Sequence, residues 1–410
     1  MKTLALFGPL SPLESGVAVY TEGLARQLAE HYKITFYISH DYSPKAVGNL
    51  GEVRTHEHFR GREDIALFQA SNGWMHSYMY PHILRHRGIV TLHDSTLHDM
   101  VISYWERKPR WRFWPDFIAN EGLGGIRRAI APLPEGDGSI SDRILRHLYL
   151  DDESKRRSFT FLKRVARRAT GIISHSRWVA HAAKTAGADC PIMTVPLAVD
   201  PAPKQIAVEE ARKAAGLYER GVGEKTFMAL VFGLIQKHKR IEQILDAWIK
   251  FTGETADAVL LFLGPRDRDF DIDKAVSSRG LDDRVRIIGR FEPMDKVWDY
   301  IFAADLCLNL RGPVYGSSSL SLMQILAAGK AAVVTDAETF SELPDDVVKK
   351  VSDGPGEIKE IIQTLRWARD NPAERIALGH RALDYVQSGC LWSQVGKRHI
   401  EFLDSILKAD

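Results

Sequence analysis

The sequence is poor in the features that mark several large protein classes. Its 410 residues include three cysteines, Cys190, Cys307 and Cys390, far apart along the chain. That excludes a disulfide scaffold, and the thiols read as buried or incidental ones in a reducing, cytoplasmic setting. No apolar run reaches the length of a membrane-spanning helix. The opening MKTLALFGPL has only a short apolar run, closed by Gly8-Pro9 and followed by a helical pattern, so it reads as a first strand and not as a signal peptide. Charge of one sign is not in excess: the net charge of +2 gives no whole-chain argument for nucleic acid. The fingerprint G-x-G-x-x-G is missing from the first strand–helix junction, which weakens any nicotinamide reading. No cluster of carboxylates demands a divalent metal.

What is present is an ordinary globular composition, 45% hydrophobic and 26% charged, on a chain too long for one compact core. The most informative stretch is Leu306 to Thr335: LCLNL, RGPVYGSSS, LSLMQILAAGK, AAVVT. It predicts a buried strand, a Gly/Ser loop, a helix beginning within Gly316-Ser317-Ser318-Ser319, and a second buried strand. Apolar strands of this kind belong to a parallel sheet covered on both faces. Free N–H groups and the positive end of the dipole make such a helix start a site for anions, phosphate among them. Serine at a helix start is also a common cap, so the stretch alone leaves both roles open.

The rest of the chain predicts two α/β series. In the first, strand Thr3–Phe7, loop Gly8–Gly16, a helix carrying Val17, Tyr20, Leu24 and Leu28, and strand Ile34–Ser39 open a Rossmann-like domain. Gly16 is either a tight turn or a point where a ligand approaches the backbone. Strand Gly88–His93 ends at Asp94, and ligands of open α/β sheets bind outside the carboxyl ends of strands. A metal reading of His93-Asp94-Ser95-Thr96-Leu97-His98-Asp99 is disfavoured, because pairs repeating at a spacing of five do not stack on one helical face. A polar wall of the active cleft suits the run better. A strand at 170–174, a short strand at 192–195 and Pro196, Pro201 and Pro203 lead out of this half. The second series starts after Lys225, with strands at 227–232, 259–263 and 285–288 and a loop containing Lys237-His238-Lys239-Arg240.

Between them, residues 105–168 carry 15 Lys and Arg against 9 Asp and Glu, so this insert is +6 and the remainder −4. It opens with Trp105, Arg107, Lys108, Arg110, Trp111, Arg112, Phe113 and Trp114, and has further basic runs at 155–157 and 163–168. The asymmetry could attract an anionic acceptor or a membrane surface. A solvated insert whose tryptophans pack on the domain is the favoured reading, and a peripheral membrane contact stays open.

Two Rossmann-like halves supplying a Ser-lined helix start, a cationic loop, Gly16 and the His93-Asp94 strand end suit a nucleoside diphosphate neutralised by the protein itself. At this point the chain resembles a known family over nearly its whole length. FGLIQKHKRIEQILDA (232–247) resembles the signature "FGR…KG…LL.A" of family-4 retaining glycosyltransferases of the GT-B fold. VRIIGRFEPMDKVWDYIFAADLCLNL (285–310) resembles its "V.F.G.V…L…Y..AD" block, and LMQILAAGKAAVVTD (322–336) its "LLEAMA.G.PVI.S". SHSRWVA and VPLAVD match the end of the family's first domain, and Leu391-Trp392 its terminal helix.

The resemblance implies an α/β GT-B fold, two Rossmann-like doubly wound domains facing across a cleft. Residues 1–200 would bind acceptor, 201–384 the nucleotide-sugar, and 385–410 would cross back. It implies a hexosyl-type glycosyltransferase moving a sugar from a nucleoside diphosphate sugar, UDP- or GDP-linked, to a hydroxyl of a glycan, growing polysaccharide, lipid-linked oligosaccharide or small metabolite. It implies retention of configuration and neither cofactor nor metal. Lys239 falls on the lysine that contacts donor phosphates, Ser317, Ser318, Ser319 and Leu320 on the amides that cap the diphosphate, Gly16 on the glycine loop, and His93 on the histidine near the reacting sugar. Lys237 and Arg240 join the donor side; Asp94, Trp111 and Arg112 are acceptor-side candidates.

Two departures stand out. The family's phosphate-binding arginine falls on Leu234, with Lys237 as candidate substitute. Its E-x7-E pair, which holds donor sugar and ribose, falls on Gly316 and Gln324; Gln324 can still bond hydroxyls, and Ser317 adjoins Gly316. They motivate an alternative, a non-catalytic sugar-nucleotide binder or partner subunit. A sugar-nucleotide epimerase of the same fold lacks support.

Overall fold

The computed structural model of the chain describes residues 1–40, 42–44, 47–106, 108–130, 158–290 and 292–409. Arg107 and the insert residues 131–157, with the basic run at 155–157, lie outside the described residues. The chain divides into two compact units: Met1–Leu197 with Tyr315–Ser318 and Trp392–Asp410, and Ala198–Val314 with Ser319–Leu391.

The first unit is built on seven parallel strands: β1 (Lys2–Phe7), β2 (Tyr32–Ile38), β3 (Gly51–Thr55), β4 (Ile65–Ala70), β5 (Gly88–Leu92), β6 (Ala169–Ser174) and β7 (Ile192–Thr194). Their order is β3-β2-β1-β4-β5-β6-β7. The central strands bury both faces, as a parallel sheet covered by helices requires. The helix Gly16–Leu28 starts on Ser15, whose side chain accepts from Val17 N and Ala18 N. Such a cap contributes about 1 kcal/mol. The helix Trp392–Ala409 returns to this unit. Trp392 lies across Gly23, where an added Cβ would come within 2.3 Å of the indole, and the Tyr20 hydroxyl meets His399 Nε2 at 3.1 Å.

The second unit repeats the plan with β8 (Phe227–Phe232), β9 (Ala258–Leu263), β10 (Val285–Ile288), β11 (Leu306–Asn309), β12 (Ala332–Thr335) and β13 (Lys349–Val351), ordered β10-β9-β8-β11-β12-β13. Every pair is parallel. The helix Ile241–Thr252 buries Ile241, Ile244, Leu245, Trp248 and Phe251, a three-and-four spacing that lays one apolar stripe on the sheet.

Two sequence expectations need correction. The helix of the Gly/Ser stretch runs Leu320–Ala327 and starts after the small residues, because only Ser319 turns its side chain back to cap it, accepting from Leu322 N. The stretch 385–410, expected to cross back, is divided: its first residues close the helix Pro372–Gly389, and the helix Trp392–Ala409 starts anew after Leu391, which bridges Val199. No helix among the described residues is long and apolar enough to cross a membrane.

In each sheet the strand order reverses once, between β1 and β4 and between β8 and β11. The carboxyl ends of strands beside such a reversal are where open α/β sheets leave a crevice for ligands.

Candidate functional site

In the second unit the reversal is flanked by the loops after β8 and β11. The chain leaves β8 at Gly233, makes a tight turn over Lys237–Lys239 and enters the next helix through Arg240, which sits at φ +57. The turn folds Lys239 back beneath its own strand, so that Nζ donates to Phe232 O at 3.0 Å. Gly233 has φ +103, and a Cβ there would lie 2.5 Å from Lys239 Nζ. Any side chain at 233 would displace the ammonium. The loop after β11 is tied alongside, with Gly312 N donating to His238 O at 2.8 Å.

That second loop supplies a group absent from the sequence reading. Arg311 follows β11 by two residues; its backbone N donates to Thr335 Oγ1 (2.9 Å) and its guanidinium to Ser319 Oγ (2.9 Å). Ser319 Oγ lies 3.1 Å from Ser321 Oγ, which accepts from Asn309 Nδ2 at 3.1 Å. Asn309 Oδ1 is buried without a partner among the described residues. The signal for Arg311 was a cation just beyond a strand at the reversal, which the apolar pattern of Leu306–Leu310 overshadowed.

The electrostatics of this cluster are one-sided. Burial pushes Lys239 well below the ordinary lysine range, and the Arg311 charge adds to that. Burial, then Arg311 and Lys239, bring His238 down to about 3. An arginine stays protonated in proteins, so the positive charge cannot be shed by titration alone. Burying a cation such as Lys239 is costly, and an anion beside it relieves that cost.

The remaining donor-side candidates divide. Lys239, Ser319 and the helix start at Leu320 converge with Arg311. Lys237 is exposed. Arg240 is held by Glu357, with Nε 2.8 Å from Oε1 and NH2 on Oε2, and lies 3.6 Å from Asp353. Gln324 sits one turn into the helix, its amide 3.5 Å from Met294 Sδ. Ser317 and Ser318 belong to the segment Tyr315–Ser318, which clusters with the first unit. There Ser95 N donates to Tyr315 O at 2.8 Å. Gly316 takes φ +71, and a Cβ on it would meet Ser95 at 2.8 Å. A glutamate side chain does not fit this backbone.

In the first unit, imidazoles gather near the carboxyl ends of β4, β5 and β6, with His76, His93 and His175 following these strands. His93, at the end of β5, meets Gln69 Oε1 through Nε2 at 2.9 Å, while Gln69 Nε2 donates to Thr91 Oγ1 (3.3 Å). The amide oxygen is therefore the acceptor and His93 Nε2 the donor, which leaves Nδ1 with its lone pair. Burial, then His175, His76 and His399, hold His93 well below the usual histidine range, so it is neutral. Its ring packs edge-on against Tyr20 (centroids 5.1 Å) and beside His175 (5.0 Å). Gly16 is exposed at the first helical position, and nothing lies within 4 Å of a Cβ built on it. The fold itself makes no demand for glycine there.

The other members of the His93–Asp99 run go separate ways. Asp94 accepts from Ser71 Oγ (2.6 Å) and Asn72 N (2.7 Å), His98 Nδ1 meets Phe159 O (2.9 Å), and Asp99 N donates to Asn72 Oδ1 (2.7 Å). They form no metal site, and Asp94 anchors a loop. At the carboxyl ends of β2, β3 and β4 lies a cavity of about 800 Å³ lined by Tyr42, Glu57, Trp74, Tyr78, Tyr104 and Lys108 among others. Trp111 and Arg112 are exposed, with the guanidinium 4.9 Å over the indole, and neither lines that cavity. Trp105 turns inward and donates to Asp116 at 2.7 Å.

Residues 219–384 match the family model of the glycosyl transferases group 1. That stretch carries Lys239, Arg311, Ser319 and Gln324. No curated protein matches the chain in sequence. Among solved structures, it is similar to a sucrose-phosphate synthase from Thermosynechococcus elongatus, at TM-score 0.68 and 14% identity with both chains covered in full. It is similar to HepE of Anabaena in complex with UDP (TM-score 0.62, 13% identity, 99% of this chain and 100% of that one). It is also similar to WaaG, a glycosyltransferase involved in lipopolysaccharide biosynthesis (TM-score 0.62, 12% identity, 98% and 99% covered). Two parallel-sheet Rossmann-like units of this kind make the fold GT-B.

Proposed function

We propose that the chain is a glycosyltransferase that moves a hexosyl group from a nucleoside diphosphate sugar to an acceptor hydroxyl, with retention of configuration and without a metal at the donor phosphates. The crowding of Lys239, Arg311 and Ser319 at the second reversal carries the reading. In the transfer, the bond from the anomeric carbon to the β-phosphate oxygen breaks and a bond to the acceptor oxygen forms. The acceptor's proton passes to the departing phosphate, so the protein needs no nucleophile. Lys239 and Arg311 neutralise the charge that builds on the diphosphate as it leaves. The sugar gains oxocarbenium character. Neutral His93 offers Nδ1 as an acceptor for a sugar hydroxyl, and Gly16 leaves its helix start open to an approaching ligand. The aromatic-walled cavity of the first unit suits a saccharide acceptor, whether glycan, polysaccharide or lipid-linked. HepE has been solved with UDP-glucose, which makes UDP-sugars the first donors to test.

The packing of Gly316 against Ser95 favours a second reading, a sugar-nucleotide binder without turnover, because no carboxylate can stand where the family places one. A donor screen separates the two. The chain is mixed with UDP-, GDP-, ADP- and dTDP-sugars, and thermal shift and sugar release are followed together, first without acceptor and then with oligosaccharides. Stabilisation by one nucleotide with release or transfer of its sugar supports the transferase. Stabilisation without turnover under any acceptor favours the binder, and no response to any nucleotide overturns both.

A further inference from the structure

We propose that His40, His56 and Glu57 form a binding site for a divalent transition-metal ion of the zinc type, on the wall of the first unit's cavity. One ligand atom from each of the three lies within 4.8 Å of the others. The strand register produces this meeting: β2 and β3 pair in parallel with Ile38 opposite Thr55, so the residues just beyond both strand ends emerge at one height. His40 follows Ile38 by two positions, and His56 and Glu57 follow Thr55 directly.

The surroundings orient these side chains. His56 Nδ1 meets His82 Nε2 at 3.0 Å. A metal ion at Nε2 of His56 requires the proton on Nδ1, and His82 supplies the acceptor for it. Metal-ligating histidines regularly carry such a partner on the second nitrogen. The His56 ring also packs against Tyr78 (5.1 Å) and His40 (6.0 Å), which fixes its plane.

Two imidazoles and a carboxylate are a borderline donor set. They select Zn²⁺, Co²⁺ or Ni²⁺ over Mg²⁺ and Ca²⁺, which prefer all-oxygen shells. Three protein ligands in a tetrahedral site leave one position open. All three residues line the cavity of about 800 Å³, as do Arg60 and Arg85. The open position therefore takes an oxygen ligand from whatever occupies the cavity, and the two arginines favour an anionic one. This site is separate from the cationic cluster of the second unit and does not depend on the donor reading.

The test uses the full chain without an affinity tag, stripped with chelator and titrated with Co²⁺, whose bound form has a visible d–d band. One equivalent per chain is expected, displaced by Zn²⁺ and not by Mg²⁺. His40→Ala and His56→Ala should each weaken binding at least ~10-fold, and His82→Ala about 10- to 100-fold with all three ligands intact. His380→Ala, on the exposed face of a helix in the second unit, should leave binding unchanged. His40 is exposed, so its variant does not endanger the fold, and circular dichroism of each variant checks this. Absence of saturable Co²⁺ binding overturns the proposal, as does binding that survives His40→Ala and His56→Ala.

Discussion

Near the reversal of the first sheet four histidines are buried, His76, His93, His175 and His399, whereas near that of the second a buried lysine, Lys239, stands with the half-buried His238 and Arg311. The strand orders around these two places are the same. Burial acts on both in the same direction, driving basic groups toward their neutral forms. Imidazoles complete that change within the ordinary pH range, and the first crevice becomes a neutral hydrogen-bonding surface. The second crevice does not become neutral in that way, because Arg311 keeps its charge however far Lys239 is driven toward its neutral form. One crevice is thus suited to hydroxyls and the other to an anion, although the backbone plan is shared.

The sharpest way to break this comparison is Lys239→Ala. If the lysine meets charge that builds on the leaving diphosphate, sugar transfer should fall by about 10²- to 10³-fold. The melting temperature should hold or rise, since a buried cation has gone. Unchanged turnover would remove the second crevice from the reaction. Next, Arg311→Ala should weaken UDP or GDP binding by about 10- to 100-fold in calorimetry, the range for losing hydrogen bonds to a charged group. His93→Ala should leave that nucleotide affinity in place while lowering turnover. Equal losses of affinity in both variants would mean that the two crevices are not specialised.

Gly316→Glu probes whether the family's glutamate can be reinstalled. It should cost about 1–3 kcal/mol in denaturant unfolding, from the left-handed backbone and the contact with Ser95, without gaining donor affinity. A stable variant that binds donor more tightly would contradict that account.

Acid should separate the crevices further. His76 and His399 are held near 4 and His175 near 3 by burial, whereas in the unfolded chain all titrate near 6.5. Between those values the unfolded form binds more protons, so stability falls as pH drops below about 6.5 and continues to fall toward 4. Urea midpoints measured from pH 7.5 to 4.5 should decline, and His399→Gln should flatten the decline. The smallest effect belongs to Gly16→Ala: open space at 16 predicts a stability change within about 1 kcal/mol, with any loss appearing in the KM for donor.

How much of this could be seen beforehand follows from what each part asks of the sequence. Strands buried on both faces, such as AVLLFL of β9, announce themselves as apolar runs. The edge strands GEVRT (β3) and KKV (β13) carry charge and give no run. The serines 317–319 look alike in sequence, and only backbone geometry shows that Ser319 alone caps the helix. Lys239 could be read beforehand as one cation of the loop 237–240, and its place at the donor phosphates only as what the family resemblance implies. Arg311 was not legible, since its meeting with Lys239 depends on β8 and β11 lying side by side. Arg240, a cation in the same loop, was legible as charge but not as a partner of Glu357, which comes from a distant helix.

The helix Trp392–Ala409 has a bearing on how the molecule is made. A ribosome synthesises the seven strands of the first unit and the helix Gly16–Leu28 early, yet the covering for Tyr20, Gly23 and Gln27 arrives only after the whole second unit has been translated. Until then the nascent first unit presents an uncovered helix face to water and to chaperones. The second unit, all of whose strands precede residue 392, can fold while still tethered. The half that emerges first is thus the one whose last covering element is made last.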